Sequence, residues 1–222
     1  MKKGNFAIAI MVNFSLSIDQ LRSRLSQPLP GRQAQLRMAF SRRAEELRLN
    51  PDPPSGARIA SVSLILYEND LGWNTVMIQR STHPQDRHSG QVSFPGGKHE
   101  ESDGTLIQTA KREAQEEIGI DPEKMEILGQ LTDLYIPVSN FIVHPFVALL
   151  TGQPNFKPQA EEVETILTPS IGHFLQEENK AYRELVVGTG VRLKDVPCFM
   201  LEDRAVWGAT AMIMSEFLEL IS

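Results

Sequence analysis

Arg112, Glu113, Glu116 and Glu117 are the residues whose types and spacing do chemistry in this chain, within "KREAQEEIGI", residues 111–120. Apolar Leu106, Ile107, Ala110, Ala114 and Ile118 recur at helical spacing, and Gly119 followed by Ile120 reads as a helix stop with an apolar contact beyond it. At about 100° per residue the three glutamates share one face near the helix end. There the helix dipole disfavours anions by roughly 0.3 to 1 kcal/mol each, and Glu113 adds like-charge repulsion at i+3 and i+4. A divalent cation removes both penalties. Magnesium and manganese are hard ions that take carboxylate oxygens, and magnesium keeps waters while bridging to substrate phosphates. Arg112, four positions before Glu116, is spaced to hold that carboxylate in one rotamer. Glutamates near a helix end are more often a solvated face. What distinguishes this set is the Pro95-Gly96-Gly97 turn upstream, which permits close backbone approach to a ligand.

The elements that must position this patch follow from the pattern along the chain. Residues 15–26 and 32–49 read as two amphipathic helices separated by "PLPG", and "NPDPPSGAR", residues 50–58, reads as a linker. "IASVSLILYE" and "NTVMIQR" then read as strands joined by the turn "NDLGW". "QVSF" is a short extended piece before the Gly-Gly loop. Further strands are expected at 125–134, 141–150, 182–187 and 198–201, and helices at 169–178 and 206–221. The aromatic and methionine residues of the last segment have helical spacing and read as a core-facing stripe; Phe94 reads as packing beneath the Gly-Gly turn. Strands and helices mixed in this order imply an α/β fold, a sheet covered by helices on both faces.

Composition narrows the function classes. The chain has 222 residues, a formal net charge of -6 and a pI near 5.4, so a broad electrostatic grip on nucleic acid or an anionic membrane is not expected. The lone Cys198 permits no internal disulfide and no zinc cluster of its own, which suits a reducing cytoplasm. The opening "MKKGNFAIAIMVNF" is interrupted by Asn5 and Asn13 and lacks a small-x-small cleavage site, so it is not read as a signal peptide. No run approaches the roughly 20 apolar residues of a membrane span. A homodimer is compatible with a small enzyme, although no residue marks an interface.

The stretch "GGKHEESDGTLIQTAKREAQEEIGI" resembles the signature of the Nudix hydrolases, G-x5-E-x7-R-E-U-x-E-E-x-G-U with U aliphatic. Gly97, Arg112, Glu113, Ala114, Glu116, Glu117, Gly119 and Ile120 carry the resemblance. The chain departs from the pattern where Asp103 replaces the first glutamate and one extra residue separates it from Arg112. The resemblance implies a Nudix-type α/β/α sandwich with a mixed β-sheet, residues 58–222, preceded by an N-terminal helical extension and linker, residues 1–57. It also implies hydrolysis of a diphosphate joined to another moiety, with Mg2+ or Mn2+ as cofactor. Glu113, Glu116 and Glu117 become metal ligands by this likeness, with Arg112 orienting them. The general base varies within the family, and here it is a helix glutamate or one from "QAEEVETIL", where Glu161 and Glu162 are available and Glu162 is taken as the catalytic candidate.

Upstream, "MIQRSTHPQDRHSGQVSFPGG" resembles the additional motif of the coenzyme A pyrophosphatase branch through Arg80, Ser81, His88, Gly90, Gln91, Val92, Phe94, Pro95, Gly96 and Gly97. The spacing from Ser81 to Gly90 is about one residue longer than in that motif, and Arg87 is not in the usual arginine place. A pyrophosphate with a further 3'-phosphate requires basic side chains beside the glycine loop, and Arg80, Arg87, His88 and Lys98 supply them. Substrate contacts are therefore expected from these four with Gly96 and Gly97. His83, His88, His99 and His144 are read as hydrogen-bonded side chains and not as metal ligands. Tyr135 and Phe141 stand where the likeness to this branch continues, either bordering the ligand or packing in the core. The expected substrate is a small nucleotide-type molecule, coenzyme A or acyl-coenzyme A. Within the same chemistry, ADP-ribose, dinucleoside polyphosphates and oxidised nucleotides are alternatives, and a non-catalytic nucleotide-sensing module is the alternative of another class.

Overall fold

The computed structural model describes residues 16–49, 53–70, 72–82, 88–187 and 190–222. Arg87, His83 and the segment "MKKGNFAIAIMVNF" lie outside the described residues, as does part of the expected linker. Three helices open the described chain: α1 (Ile18–Leu25), α2 (Gly31–Leu36) and α3 (Ser41–Leu49). The sequence led us to expect one helix over 32–49. It breaks at "RMAF" without glycine or proline, where Met38 N–H and Ala39 N–H bond to the carbonyls of Gln35 and Leu36 and Met38 turns into the core.

The central sheet contains β1 (Arg58–Asn69), β2 (Gly72–Thr75), β5 (Gly96–Lys98), β6 (Met125–Gln130), β7 (Leu134–Ile136) and β8 (Phe141–Leu150). Its spine is the parallel pair β1 and β8, in register from Arg58↔Phe141 to Leu66↔Leu149, and the flanking pairs are antiparallel. The sheet is therefore mixed. A second sheet joins β3 (Met77–Arg80) to β4 (Val92–Ser93) and β9 (Val163–Leu167), and a third joins β10 (Lys180–Val187), β11 (Val191–Leu201) and β12 (Arg204–Val206). The expected strand "NTVMIQR" is divided at Val76, so its two halves serve different sheets. Gly96–Lys98, read as a loop, is instead a strand, and so is Val163–Leu167, for which the sequence pattern suggested no element.

Alternation along β1 assigns its two faces. Ile65 and Tyr67 pack with Ala148, Leu150 and with Ala114 and Ile118 of α4 (Leu106–Ile118). Leu64 and Leu66 pack on the other face with Val147, with Leu21 and Leu25 of α1, and with Met214 and Phe217 of α6 (Gly208–Ile221). Helices thus cover both faces of the mixed sheet, which is the α/β/α arrangement, completed by the short α5 (Ile171–Leu175). The N-terminal helices share this second core. They are keyed to it by Glu216 of α6, fully buried, whose carboxylate accepts from Gly31 N–H, Gln35 Nε2, Thr132 N–H and Thr132 Oγ1. Among the described residues no helix is long and apolar enough to cross a membrane.

Candidate active site

α4 starts on Thr105, whose side chain accepts from Gln108 N–H in a capping box, and stops at Gly119, which is left-handed at φ 70. Past this stop the chain returns. Lys157 N–H donates to the carbonyl of Ile118 at 2.9 Å and Gln159 N–H to that of Glu117 at 3.0 Å, satisfying two carbonyls of the last turn. A Cβ on Gly119 would lie 3.0 Å from Lys157 Cβ, so glycine also allows this approach. The returning segment brings Glu162 to the first residues of the β9 strand. Its N–H donates to Gln159 Oε1 at 2.8 Å, and its carbonyl accepts from Ser81 N–H at 2.8 Å. Glu162 is exposed, and its charge is close enough to raise the pKa of both Glu113 and Glu117.

The three helix glutamates differ sharply in surroundings. Glu117 is 1% exposed; its Oε2 accepts from Gly96 N–H at 2.8 Å and its Oε1 lies 3.7 Å from Arg80 Nη1. Burial pushes this carboxyl up to about 8, against the opposing pull of Gly96 and Arg80 and with the help of Glu113 and Glu162. Glu113 is half-sealed beneath β5 and is also raised, chiefly by burial, with Arg112 opposing. Glu116 points to solvent and meets Arg112 Nη1 at 2.8 Å, the contact its i,i+4 spacing predicts.

Arg112 is the hub. Nε donates to Asp103 Oδ1 at 2.7 Å and Nη2 to Asp103 Oδ2 at 3.1 Å, a two-pronged pair, while Nη2 also donates to the Lys98 carbonyl at 3.1 Å. Nη1 lies 2.9 Å from Glu113 Oε1 as well as bonding Glu116. The guanidinium holds the Asp103 carboxyl far below the usual carboxylate range, and Asp103 in turn raises Arg112. Asp103, replacing the expected glutamate one residue further from Arg112, is thus the anchor of the guanidinium. The signal in the sequence was its place at the glutamate position of the signature; its burial, which requires a cation partner, came only from the fold.

The Gly-Gly pair packs tightly within the site. Close backbone approach does occur there, but the partners are the protein's own. A Cβ on Gly96 would lie 2.3 Å from the Ser61 carbonyl oxygen, and one on Gly97 would lie 2.5 Å from Glu113 Cδ. Gly96 N–H donates to Glu117 Oε2. Pairing of β5 with β1 is the physical reason, because it presses this backbone between a strand and the carboxylate helix. Lys98 is exposed at the end of β5, and His88 Nδ1 stands 3.3 Å from Gln91 Oε1 before β4. Among the described residues, Arg80 is the basic substrate candidate that the fold brings against the carboxylates. An open depression of about 430 Å³ beside Glu162 is lined by Ser81, Thr82, Pro158, Ala160, Val163 and Glu164. Tyr135 and Phe141 belong to another edge, where the Tyr135 hydroxyl bonds Asn140 and Arg58 lies 4.1 Å over the Phe141 ring.

Carboxylate oxygens are the donors that a hard divalent cation takes, and the buried Glu117, with Arg80 Nη1 no nearer than 3.7 Å, fits one in chemistry. Glu113 and Glu116 both lean on Arg112 while Glu117 turns inward, and among the described residues no three His, Cys, Asp or Glu side chains converge into a ready metal cluster.

Comparison with known proteins agrees with this geometry. A family model described as NUDIX domain matches residues 57–186. The chain is 36% identical over 145 residues to the mitochondrial coenzyme A diphosphatase NUDT8 of Mus musculus, covering 64% of this chain and 68% of that protein. It is 33% identical over 144 residues to the human protein of the same name, covering 64% of this chain and 61% of the relative. The uncharacterized Nudix hydrolase NudL of Pectobacterium atrosepticum is 34% identical over 142 residues, with 64% and 72% covered. The chain thus spans between 61% and 72% of the length of these relatives. With the family match over more than half its length and the carboxylate helix in place, this chain belongs to the Nudix hydrolase family.

Proposed function

We propose that the chain is a divalent-cation-dependent pyrophosphatase, using Mg2+ or Mn2+, that hydrolyses coenzyme A or an acyl derivative to adenosine 3',5'-bisphosphate and 4'-phosphopantetheine or its acyl form. The observation that carries the reading is Glu117, a carboxyl buried at an unfavourable helix end with Glu113 and Glu162 nearby. Such an arrangement makes sense where a cation completes it. Glu113, Glu116 and Glu117 would hold the ion, Glu113 and Glu116 through the oxygens that Arg112 Nη1 does not take. When bound, the ion would supply charge neutralisation on the diphosphate and a lowered pKa for the attacking water. Arg112, fixed by Asp103, sets the orientation of Glu113 and Glu116. Glu162 accepts the proton of the attacking water as a new P–O bond forms and the bridging P–O bond breaks.

Substrate choice rests on other support. Two relatives are named coenzyme A diphosphatases. Arg80 Nη1 lies 3.7 Å from Glu117 Oε1 and Ser81 N–H bonds the Glu162 carbonyl, and Arg80, Arg87, His88 and Lys98, with Gly96 and Gly97, are the proposed phosphate contacts. A cytoplasmic setting is part of the proposal, supported only by the single cysteine, which is buried.

The test is a product assay with magnesium or manganese on coenzyme A, acetyl-coenzyme A, ADP-ribose, NADH and a dinucleoside polyphosphate, with Glu117→Gln as the blank. Release of adenosine 3',5'-bisphosphate, absent in the blank, is the expected result. Turnover of another member of the panel would overturn the substrate, and silence across it with metal bound would point to a sensing module.

A further inference from the structure

Beyond the motif residues, a chain of hydrogen bonds runs from β5 into the carboxylate helix. Thr109, fully buried on α4, donates from Oγ1 to Asp103 Oδ2 at 2.8 Å. Its hydroxyl has one hydrogen, and a carboxylate ionised by Arg112 can only accept, so that hydrogen is committed to Asp103. The His99 Nδ1 contact to the same Oγ1, 2.7 Å long, must then run the other way, with His99 Nδ1–H donating. This assigns the imidazole tautomer and leaves Nε2 as the outward nitrogen. The alternative acceptor for the hydroxyl, the Thr105 carbonyl, is more distant at 3.3 Å. Asp103 Oδ2 also takes Glu100 N–H at 2.9 Å, so Thr109 and the Glu100 amide fix the carboxylate plane onto which Arg112 docks.

We infer that Thr109 and His99 are positioning residues of the active site, acting through Asp103 and Arg112 to hold Glu113 and Glu116 where a divalent cation binds. Nothing in the amphipathic pattern calls for threonine at 109. Valine fills the same space, has no hydroxyl, and would serve the apolar core equally, so the hydroxyl marks a directional requirement. His99 holds the hydroxyl by its oxygen and so keeps its hydrogen on Asp103 and off the Thr105 carbonyl. The assignment rests on the metal-site reading under Proposed function, and the measurement is chosen so that the two can fail separately.

The experiment is Mn2+ titration followed by electron paramagnetic resonance, on the full chain and on Thr109→Val, Thr109→Ser, His99→Leu and His99→Asn, with thermal melts and with kcat and KM on the substrate that the panel identifies. Substitution of groups that orient metal ligands weakens binding by about 10- to 100-fold. Thr109→Val is expected to raise the Mn2+ dissociation constant about tenfold and to lower kcat comparably, with KM changed less than about twofold. Thr109→Ser restores the hydroxyl and both values, and His99→Asn, which retains an N–H near Nδ1, outperforms His99→Leu. Wild-type affinity in Thr109→Val, or equal damage in valine and serine variants, overturns the inference. If Thr109→Val does not fold, the His99 pair decides alone, since equal affinities in Leu and Asn overturn it. Failure of the wild-type chain to bind Mn2+ overturns the metal-site reading itself, whereas binding without coenzyme A turnover overturns only the substrate.

Discussion

Replacing Glu117 by glutamine isolates the conflict built into the end of α4. In the metal-free protein the Glu117 carboxyl titrates near 8, against an ordinary 4.5 in the unfolded chain. Below 4.5 both states are protonated and the group is neutral in its effect. Between 4.5 and about 8 only the unfolded chain ionises, so it binds fewer protons than the folded one and stability falls as pH rises. Above about 8 the loss is complete. At roughly 1.4 kcal/mol per pH unit, the interval corresponds to about 5 kcal/mol, an upper bound because the denatured chain is not fully solvated. Glutamine keeps an oxygen for Gly96 N–H and does not ionise. The variant is therefore expected to match the wild type near pH 4.5 and to exceed it by several kcal/mol at pH 8.5, on the order of 10 °C in Tm. Denaturation by urea and by heat, after chelator treatment and across pH 5 to 9, makes the comparison. Parallel pH curves for the two proteins would refute the burial argument, and undiminished turnover in the variant would refute the ligand assignment.

Other consequences follow from the same geometry. On the proposed metal site the cation takes ionised carboxylates, so Mg2+ or Mn2+ affinity should rise as pH approaches 8 and binding should release protons, which calorimetry in buffers of different ionisation enthalpy detects; no proton release would contradict a raised Glu117. Gly97→Ala places a methyl 2.5 Å from the Glu113 carboxyl and should reduce kcat at least tenfold with a small change in Tm, whereas Gly96→Ala strikes the β1 backbone and should chiefly lower Tm; kinetics and melts on both variants distinguish them. Gln159→Leu removes the nearer, side-chain acceptor of Glu162 N–H at 2.8 Å and leaves it only the Gln159 carbonyl at 3.1 Å, and should lower kcat severalfold with KM little altered, an outcome contradicted by wild-type kcat. Arg80→Ala should raise KM for coenzyme A more than for a substrate without the 3'-phosphate; because Arg80 is also the guanidinium 3.7 Å from Glu117, equal effects on both substrates would mark a role confined to that carboxylate.

The sequence by itself determined the elements whose signals are local. The carboxylate helix, its glycine stop, the Arg112 to Glu116 spacing and the last helix depend on residues within a few turns of one another, and each stands where periodicity places it. The apolar runs of β1 and β8 were equally legible, because strands buried on both faces must be continuously apolar. Tertiary structure decided what depends on pairing across long separations. Gly96–Lys98 is a strand only because β1 lies beside it, and Val163–Leu167 only because β3 does. The same glutamate type occupies 113, 116 and 117, yet one is sealed, one half-sealed and one solvated, since the sheet covers one side of the helix and water the other. The two glycines announced a close approach, but only packing revealed that Glu113 and the β1 backbone make it. Chemistry was written in residue types and short spacings, whereas burial, which sets the charge each carboxyl carries, is a property of the assembled layers.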